Sequence, residues 1–219
     1  VPVLTSSSPP VLGAVMSSFA FDFVARRRLT GLSLNYFILA ELALANSRAA
    51  MGRLRGLALG LQAAAPLFAP VWLSESIVDE RASLRWRVTE ASRLAGLCAV
   101  DAVSLAVFGL SGREAAFLLL GDDGQQTRAD PKGFWRVDKD KDPELRHTVL
   151  TLVAFHDLEA RIRACGGDRD AGIDSFLNQN GGEGWMLPET LCLAEYGLGH
   201  DERAKHPQPV ASRLGPRFY

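Results

Sequence analysis

The chain has 219 residues, 47% of them apolar and 22% charged, with a net charge of −1. This is an ordinary globular composition, and a chain of this length should bury a real core. It argues against a membrane-spanning protein, because the longest apolar stretches, such as 57–73, are interrupted by Gly60, Gln62, Pro66 and Pro70. None approaches the roughly 18 uninterrupted apolar residues that a membrane helix requires.

The cysteines and the N-terminus bear on the compartment. Cys98, Cys165 and Cys192 are far apart and form no Cys-x-x-Cys pair, which argues against a disulfide framework and a zinc knuckle and favours a reducing, cytoplasmic setting. The first ten residues have neither the basic nor the apolar region of a signal peptide, and they do not begin with Met. We therefore expect a piece of a longer, soluble polypeptide.

Positive charge is concentrated in the first third of the chain. Residues 1–70 contain six arginines against Asp22 and Glu41, a balance of +4, whereas residues 71–120 and 121–219 carry −1 and −4. A local basic patch steers association with phosphates even when the whole chain is nearly neutral. The charge distribution therefore leaves DNA binding open.

The N-terminal pattern predicts a helix, a turn and a strand. Ser8-Pro9-Pro10 is typical of a helix start, and apolar residues then recur at three- and four-residue spacing, which predicts one amphipathic helix over 10–28. Thr30-Gly31 should end it, and alternation over residues 32–39 predicts a short β-strand. Arg26, Arg27 and Arg28 fall in the last turn of the predicted helix.

The pattern over residues 46–120 is predicted to be mostly helical. We predict a helix over 46–62, a packed connector around Pro66 and Pro70, and a long helix from Ser74 or Ser76 to about Phe108. Ser111 and Glu114 have the spacing of a capping box, which predicts a helix through 115–120. The fold class is therefore α+β and predominantly α-helical.

The C-terminal half has its own start and stop signals. Asp142-Pro143-Glu144 predicts the start of a helix that runs to about Ala164 and stops at Gly166-Gly167. Two further short helices are predicted, one around 173–177 and one over 188–196.

The sequence offers no convincing catalytic or metal site. His147 and His156 fall on opposite faces of one predicted helix, so they cannot share a metal, and a capped or solvated structural role is expected for each. Asp138, Asp140 and Asp142 have the spacing of a calcium loop, but lysines alternate with them and the required glycine is missing, which favours a solvated turn. No nucleophile elbow or phosphate-binding glycine loop is present.

The arginine triplet has two interpretations. Cations in a last helical turn complement the helix dipole, which is the structural interpretation. Alternatively, consecutive positions fan around the helix end, so at least one arginine could contact a DNA phosphate while Phe21 and Phe23 anchor the helix. Ser33 and Asn35 would then lie on the polar face of the following strand, where an Asn can read an adenine edge.

Three segments of the chain, 17–44, 79–119 and 133–159, resemble in order a region of large adenine-specific DNA methyltransferases of restriction–modification and phage-defence systems. The first segment is similar to the pattern NS-x-x-FD-x-x-x-R-x-k-x-G-x-x-LN-x-F in the target-recognition region of that family. The most specific match is GFWRVDKDKDPELRHTVLTLVAFHDLE at 133–159. The matching residues of the first segment are Ser17, Ser18, Phe21, Asp22, Arg26, Arg28, Gly31, Leu34, Asn35, Phe37 and Leu42.

The chain departs from the family in lacking its catalytic machinery. Amino-methyltransferases hold a flipped adenine with an Asn/Asp-Pro-Pro-aromatic motif, and Ser8-Pro9-Pro10-Val11 has neither the amide nor the ring. A glycine-rich S-adenosylmethionine turn and a nuclease motif are also missing, and Ala43 replaces the family's usual proline. No catalytic residue and no cofactor are thus expected in this chain, although S-adenosylmethionine is implied for a parent enzyme.

The resemblance implies a division of the chain. Residues 1–45 would end a target-recognition domain, 46–73 would be a connector helix and Pro-rich linker, and 74–219 would form a helical C-terminal region. The expected partners are double-stranded DNA, contacted by Arg26, Arg27 and Arg28 with Ser33, Asn35 and Tyr36 nearby, and a catalytic domain upstream in the same polypeptide. The alternatives are a non-catalytic helical protein-interaction module and an inactive methyltransferase remnant.

Overall fold

A computed structural model describes residues 9–29, 42, 52, 54–76, 86–121, 137–199 and 201–216. The helices of these residues, in chain order, are α1 (Pro9–Met16), α2 (Phe19–Arg28), α3 (Arg55–Gln62), α4 (Ala69–Ser76), α5 (Glu90–Val107), α6 (Gly112–Leu120), α7 (His147–Ala164), α8 (Arg169–Leu177) and the short α9 (Gln179–Gly182). Strands β1 (Thr190–Leu191) and β2 (Gln208–Pro209) pair antiparallel. The predominantly helical α+β class is confirmed, while the strand predicted near 32–39 lies outside the described residues.

The long helices α5 and α7 pack against each other at the centre of the fold. α6 and α8 pack on α7, α1 packs on α3, and α2 contacts α5 and α6. The largest fully buried side chains include Phe155 and Phe176. One hydrophobic cluster extends from Val11 in α1 to Leu214 near the C-terminus, so the N-terminal helices and the C-terminal segment share a core with α5 and α7.

The single helix predicted over 10–28 is wrong, because the chain breaks between α1 and α2. Ser18 adopts an extended conformation, its hydroxyl accepts a hydrogen bond from the Phe21 N–H at 3.3 Å, and it donates to the Val15 carbonyl at 2.7 Å. A serine that bonds the backbone in this way favours a helix cap over a helix interior. The apolar spacing continues through the break, which is why periodicity alone did not reveal it.

The long helix predicted from Ser74 or Ser76 to Phe108 is also wrong. α4 ends at Ser76, residues 86–88 are not helical, and α5 begins at Glu90 after Thr89, whose side chain accepts from the Ser92 N–H at 3.1 Å. The backbone N–H of Arg87 donates to the Gly60 carbonyl at 2.9 Å. That bond ties this segment to α3 and leaves it unable to continue a helix.

The two C-terminal predictions that follow need correction as well. Pro143–Leu145 forms a 3₁₀ turn, and α7 itself starts only at His147. The short helix predicted over 188–196 is instead strand β1 followed by the 3₁₀ turn Leu193–Tyr196. The sequence could not reveal this strand, because its partner β2 lies in the tail.

Other boundaries are confirmed. The Ser111–Glu114 capping box is complete at the start of α6, and Gly166 and Gly167, both with positive φ, follow the end of α7. The short helix predicted around 173–177 is part of α8. Among the described helices, none combines the length and the apolar character needed to cross a bilayer.

Candidate nucleic-acid interface

The last turn of α2 presents Arg26, Arg27 and Arg28 to solvent, as the sequence predicted. All three side chains are exposed. The opposite side of the helix is buried through Phe19, Phe21 and Ala25. α2 therefore carries its cations on a surface that is fixed to the rest of the protein.

Arg26 is held by a carboxylate of its own helix. Its Nε lies 2.9 Å from both carboxylate oxygens of Asp22, and its Nη2 lies 2.8 Å from Oδ2. The hydrogen bond to Asp22 raises the pKa of Arg26 above its ordinary value. The pair is exposed, with 68% of the arginine side chain accessible, and an exposed i,i+4 pair contributes only about 0.3–0.5 kcal/mol.

Arg27 and Arg28 have different surroundings. The Arg27 guanidinium lies over the Phe23 ring, 4.7 Å from its centroid, a cation–π contact that contributes about 0.5–1 kcal/mol at an exposed site. Arg28 makes no ion pair or hydrogen bond with the part of the chain that the structure describes. Among the described residues, Arg26 is thus paired with a carboxylate, Arg27 is stacked on a ring, and Arg28 has no charged or hydrogen-bonding partner.

The remaining predicted DNA-facing residues, Ser33, Asn35 and Tyr36, lie outside the described residues. Of the predicted site, the described residues include only the three arginines. Of the residues that follow α2, Leu42 is described, and it is buried in a small cluster with Phe21 and Ala25. That cluster supports the buried face of α2 beneath the arginines.

The N-terminus of α2 is fixed by an acidic side chain from another helix. Asp101 of α5 accepts a hydrogen bond from the Phe19 N–H through Oδ1 at 2.8 Å, which satisfies one of the free amides at the helix start. A carboxylate there also interacts favourably with the positive end of the helix dipole. Asp101 is 4% exposed, so this anchor is inside the core.

His147, at the start of α7, lies on the other oxygen of Asp101. Its Nε2 is 2.9 Å from Asp101 Oδ2, which forms an ion pair when the imidazole is protonated. The ring also packs 4.7 Å from that of Phe19. Burial acts to lower the pKa of His147, but the neighbouring Cys98 and Asp101 outweigh it and raise the pKa to about 10. The imidazole is therefore a buried cation at neutral pH.

Sequence reasoning missed this junction. His147 was expected to be capped or solvated, but only 17% of its side chain is accessible. The backbone N–H of His147 donates to Asp138 Oδ2 at 2.9 Å, so one of the three aspartates with calcium-like spacing is a helix cap. The one signal in the sequence for a buried polar contact was an acidic residue, Asp101, within an otherwise apolar helical pattern.

Two further histidines, His156 and His206, make local contacts. His156 packs against Tyr196, with ring centroids 5.5 Å apart, and the exposed His206 lies 3.3 Å from Glu202. Within the described ranges, no group of three or more His, Cys, Asp or Glu side chains could hold a metal ion. No family model, no curated protein and no solved structure matches this chain.

Proposed function

We propose that this chain is the DNA-recognition and C-terminal portion of an adenine-specific DNA methyltransferase of a restriction–modification or phage-defence system. In this proposal a separate catalytic domain, upstream in the same cytoplasmic polypeptide, binds S-adenosylmethionine and methylates the adenine. This chain holds the duplex, with Arg26, Arg27 and Arg28 on phosphates and Ser33, Asn35 and Tyr36 near the same surface. The sequence resemblance over 17–44, 79–119 and 133–159 supports the enzyme class.

The structural observation that supports DNA binding is the exposure of three consecutive arginines at the end of a firmly anchored helix. Their local contacts do not prevent it. The exposed Asp22 pair and the Phe23 stack each contribute less than about 1 kcal/mol, so Arg26 and Arg27 can exchange them for a phosphate at small cost. A charge-assisted bond to phosphate contributes more than either contact.

The salt dependence of binding to duplex DNA tests the proposal. Each neutralised phosphate contributes about −0.9 to the slope of log K against log[salt]. If all three arginines contact phosphate, replacing them with alanine should make the slope shallower by about 2.7. The matched control replaces the exposed Arg163, Arg169 and Lys205, which changes the net charge equally at residues that lie outside α2 and outside α5 and α6.

Either of two results would count against DNA recognition by α2. One is an equal change of slope in the two triple variants, which would indicate non-specific attraction to the whole surface. The other is salt-sensitive binding to an acidic protein with none to duplex DNA, which would instead support the protein-interaction module.

A further inference from the structure

A cleft of about 330 Å³ opens beside the first turns of α5, away from the arginines of α2. Its far wall is the segment that follows α9, and its rim is the C-terminal 3₁₀ turn Ala211–Arg213. This volume is at the lower end of the range for small-molecule sites. The side chains that matter for a ligand are Arg87, Ala91, Ala95, Trp185, Glu189 and Ser212.

Trp185 supplies an unused hydrogen-bond donor in this cleft. The residue is only 6% exposed, and its indole N–H has no acceptor among the described residues. This N–H is not among the sealed polar atoms of the described residues, and Trp185 lines the cleft. Because a buried Trp usually finds a partner for its N–H, the unused donor indicates an acceptor supplied by a ligand.

The walls favour a flat, apolar body. Ala91 and Ala95 are four residues apart on one face of α5 and have only a methyl group each, so the wall they form is shallow. Leu187 and the Trp185 ring lie along the other segment that lines the cleft. A planar ring system inserted here would contact apolar atoms on both faces.

The charges of the cleft favour a neutral ligand. Arg87 and Glu189 both line it, so their formal charges cancel. Arg87 donates from Nη1 to the Ser92 carbonyl at 3.1 Å and from Nη2 to the Glu183 carbonyl at 2.9 Å, which fixes it as part of the wall. The exposed Glu189 carboxylate and Ser212 hydroxyl are the remaining polar groups near the mouth.

We propose that this cleft binds a neutral, planar heteroaromatic compound, whose ring nitrogen or oxygen accepts the hydrogen bond from Trp185 Nε1. The cleft does not include the arginines of α2, so the ligand proposal and the proposed function are tested separately. Its ligand is recognised by shape and by one hydrogen bond rather than by charge.

The test uses isoquinoline as the probe, with the cation N-methylisoquinolinium and the anion 2-naphthoate as charged counterparts of the same shape. The chain has four tryptophans, so its indole N–H signals in an NMR spectrum are few, and the signal lost in Trp185→Phe is that of Trp185. Isoquinoline should shift this signal saturably, and both charged compounds should bind more weakly. Trp185→Phe keeps an aromatic side chain but removes the pyrrole ring with its N–H donor, and should weaken isoquinoline binding at least about fivefold, the loss for one neutral hydrogen bond.

Two further variants keep the test decisive. Ser212→Phe places a ring at the exposed rim, where it does not disturb the core, and should abolish binding. Trp72→Phe is the matched control, since the Trp72 indole donates to the Ala63 carbonyl at 2.6 Å, and should bind like the wild type. The proposal is overturned if isoquinoline leaves the Trp185 signal unchanged up to its solubility limit, if either charged compound binds equally well, or if Ser212→Phe has no effect.

Discussion

At the scale of single residues, the three arginines of α2 should not contribute equally to DNA binding. Asp22 partly neutralises Arg26, whereas Arg28 has no described partner. Arg28→Ala should therefore weaken binding to duplex DNA more than Arg26→Ala, and Asp22→Asn should strengthen it by removing a negative charge from the patch. Equilibrium titrations at low ionic strength measure all three constants. Equal losses from the two arginine variants would show that the Asp22 pair does not limit Arg26.

The buried His147–Asp101 pair should make stability depend on pH. The pKa of His147 in the folded protein is raised from 6.5 to about 10, so the folded state binds the proton more tightly than the unfolded state. Its contribution is fully present below about pH 6.5 and is lost as the pH rises through about 10. At 1.36 kcal/mol for each unit of pKa, the loss is at most about 5 kcal/mol.

Urea unfolding across this range measures the effect. The free energy of unfolding of the wild type should fall with rising pH, and the difference between the wild type and His147→Gln should shrink over the same range. Asp101→Asn is a useful companion, because its amide oxygen can still accept from Phe19 while the charge is gone. A constant difference between wild type and His147→Gln would mean that folding does not raise the pKa of His147.

At the scale of elements, a complete capping box predicted the start of α6, whereas the single-residue caps of α2 and α5, Ser18 and Thr89, did not interrupt the predicted helical pattern and were missed. Ser111 and Glu114 each accept a hydrogen bond from the other's backbone N–H, so the start of α6 could be predicted from their spacing. The start of α7 was misplaced, because Asp138 caps His147 from nine residues away and Asp142 instead binds Arg213. Two residues that cap each other within one helical turn can be recognised from their spacing in the sequence. A capping side chain that lies in a preceding loop cannot.

The same reasoning separates the predictable and unpredictable parts of the candidate site. The exposed arginines at the end of α2 could be predicted, because their place in the last turn follows from the sequence. The anchor of α2 could not, because Phe19 and Asp101 are 82 residues apart. Only tertiary packing brings such a pair together.

The contact between α7 and α8 depends on Gly172. A Cβ at this position would lie 2.7 Å from the backbone Cα of Ile162, and backbone cannot rotate away as a side chain can. Gly172→Ala should therefore destabilise the protein by about 1–3 kcal/mol, despite the gain in helix propensity of about 1 kcal/mol. Gly13→Ala in α1 is the control, since its Cβ would meet only the flexible Gln62 amide. Equal stability of the two variants by urea unfolding would show that the helices can separate freely.

At the scale of the whole molecule, the C-terminal segment is attached by both burial and charge. Ala204, Val210 and Leu214 are buried in the main core. The fully buried Glu144, in the turn before α7, accepts through Oε1 from Arg203 Nη2 at 2.6 Å and from Arg213 Nη1 at 3.1 Å. Arg213 also lowers the pKa of Asp142. One buried carboxylate thus joins both ends of the segment to the central helices.

Removing that charge should release the segment before the rest of the fold opens. Glu144→Gln leaves two guanidinium groups without a buried anion and places amide hydrogens where Oε2 has no hydrogen-bond partner among the described residues, so we expect a loss of stability on the order of 3 kcal/mol. Hydrogen exchange should rise over residues 203–214 while α5 and α7 stay protected. Glu202→Gln is the control, because that side chain is 74% exposed and its ion pairs contribute less than about 1 kcal/mol. Uniform loss of protection in Glu144→Gln would instead show that the segment and the central helices unfold as one cooperative unit.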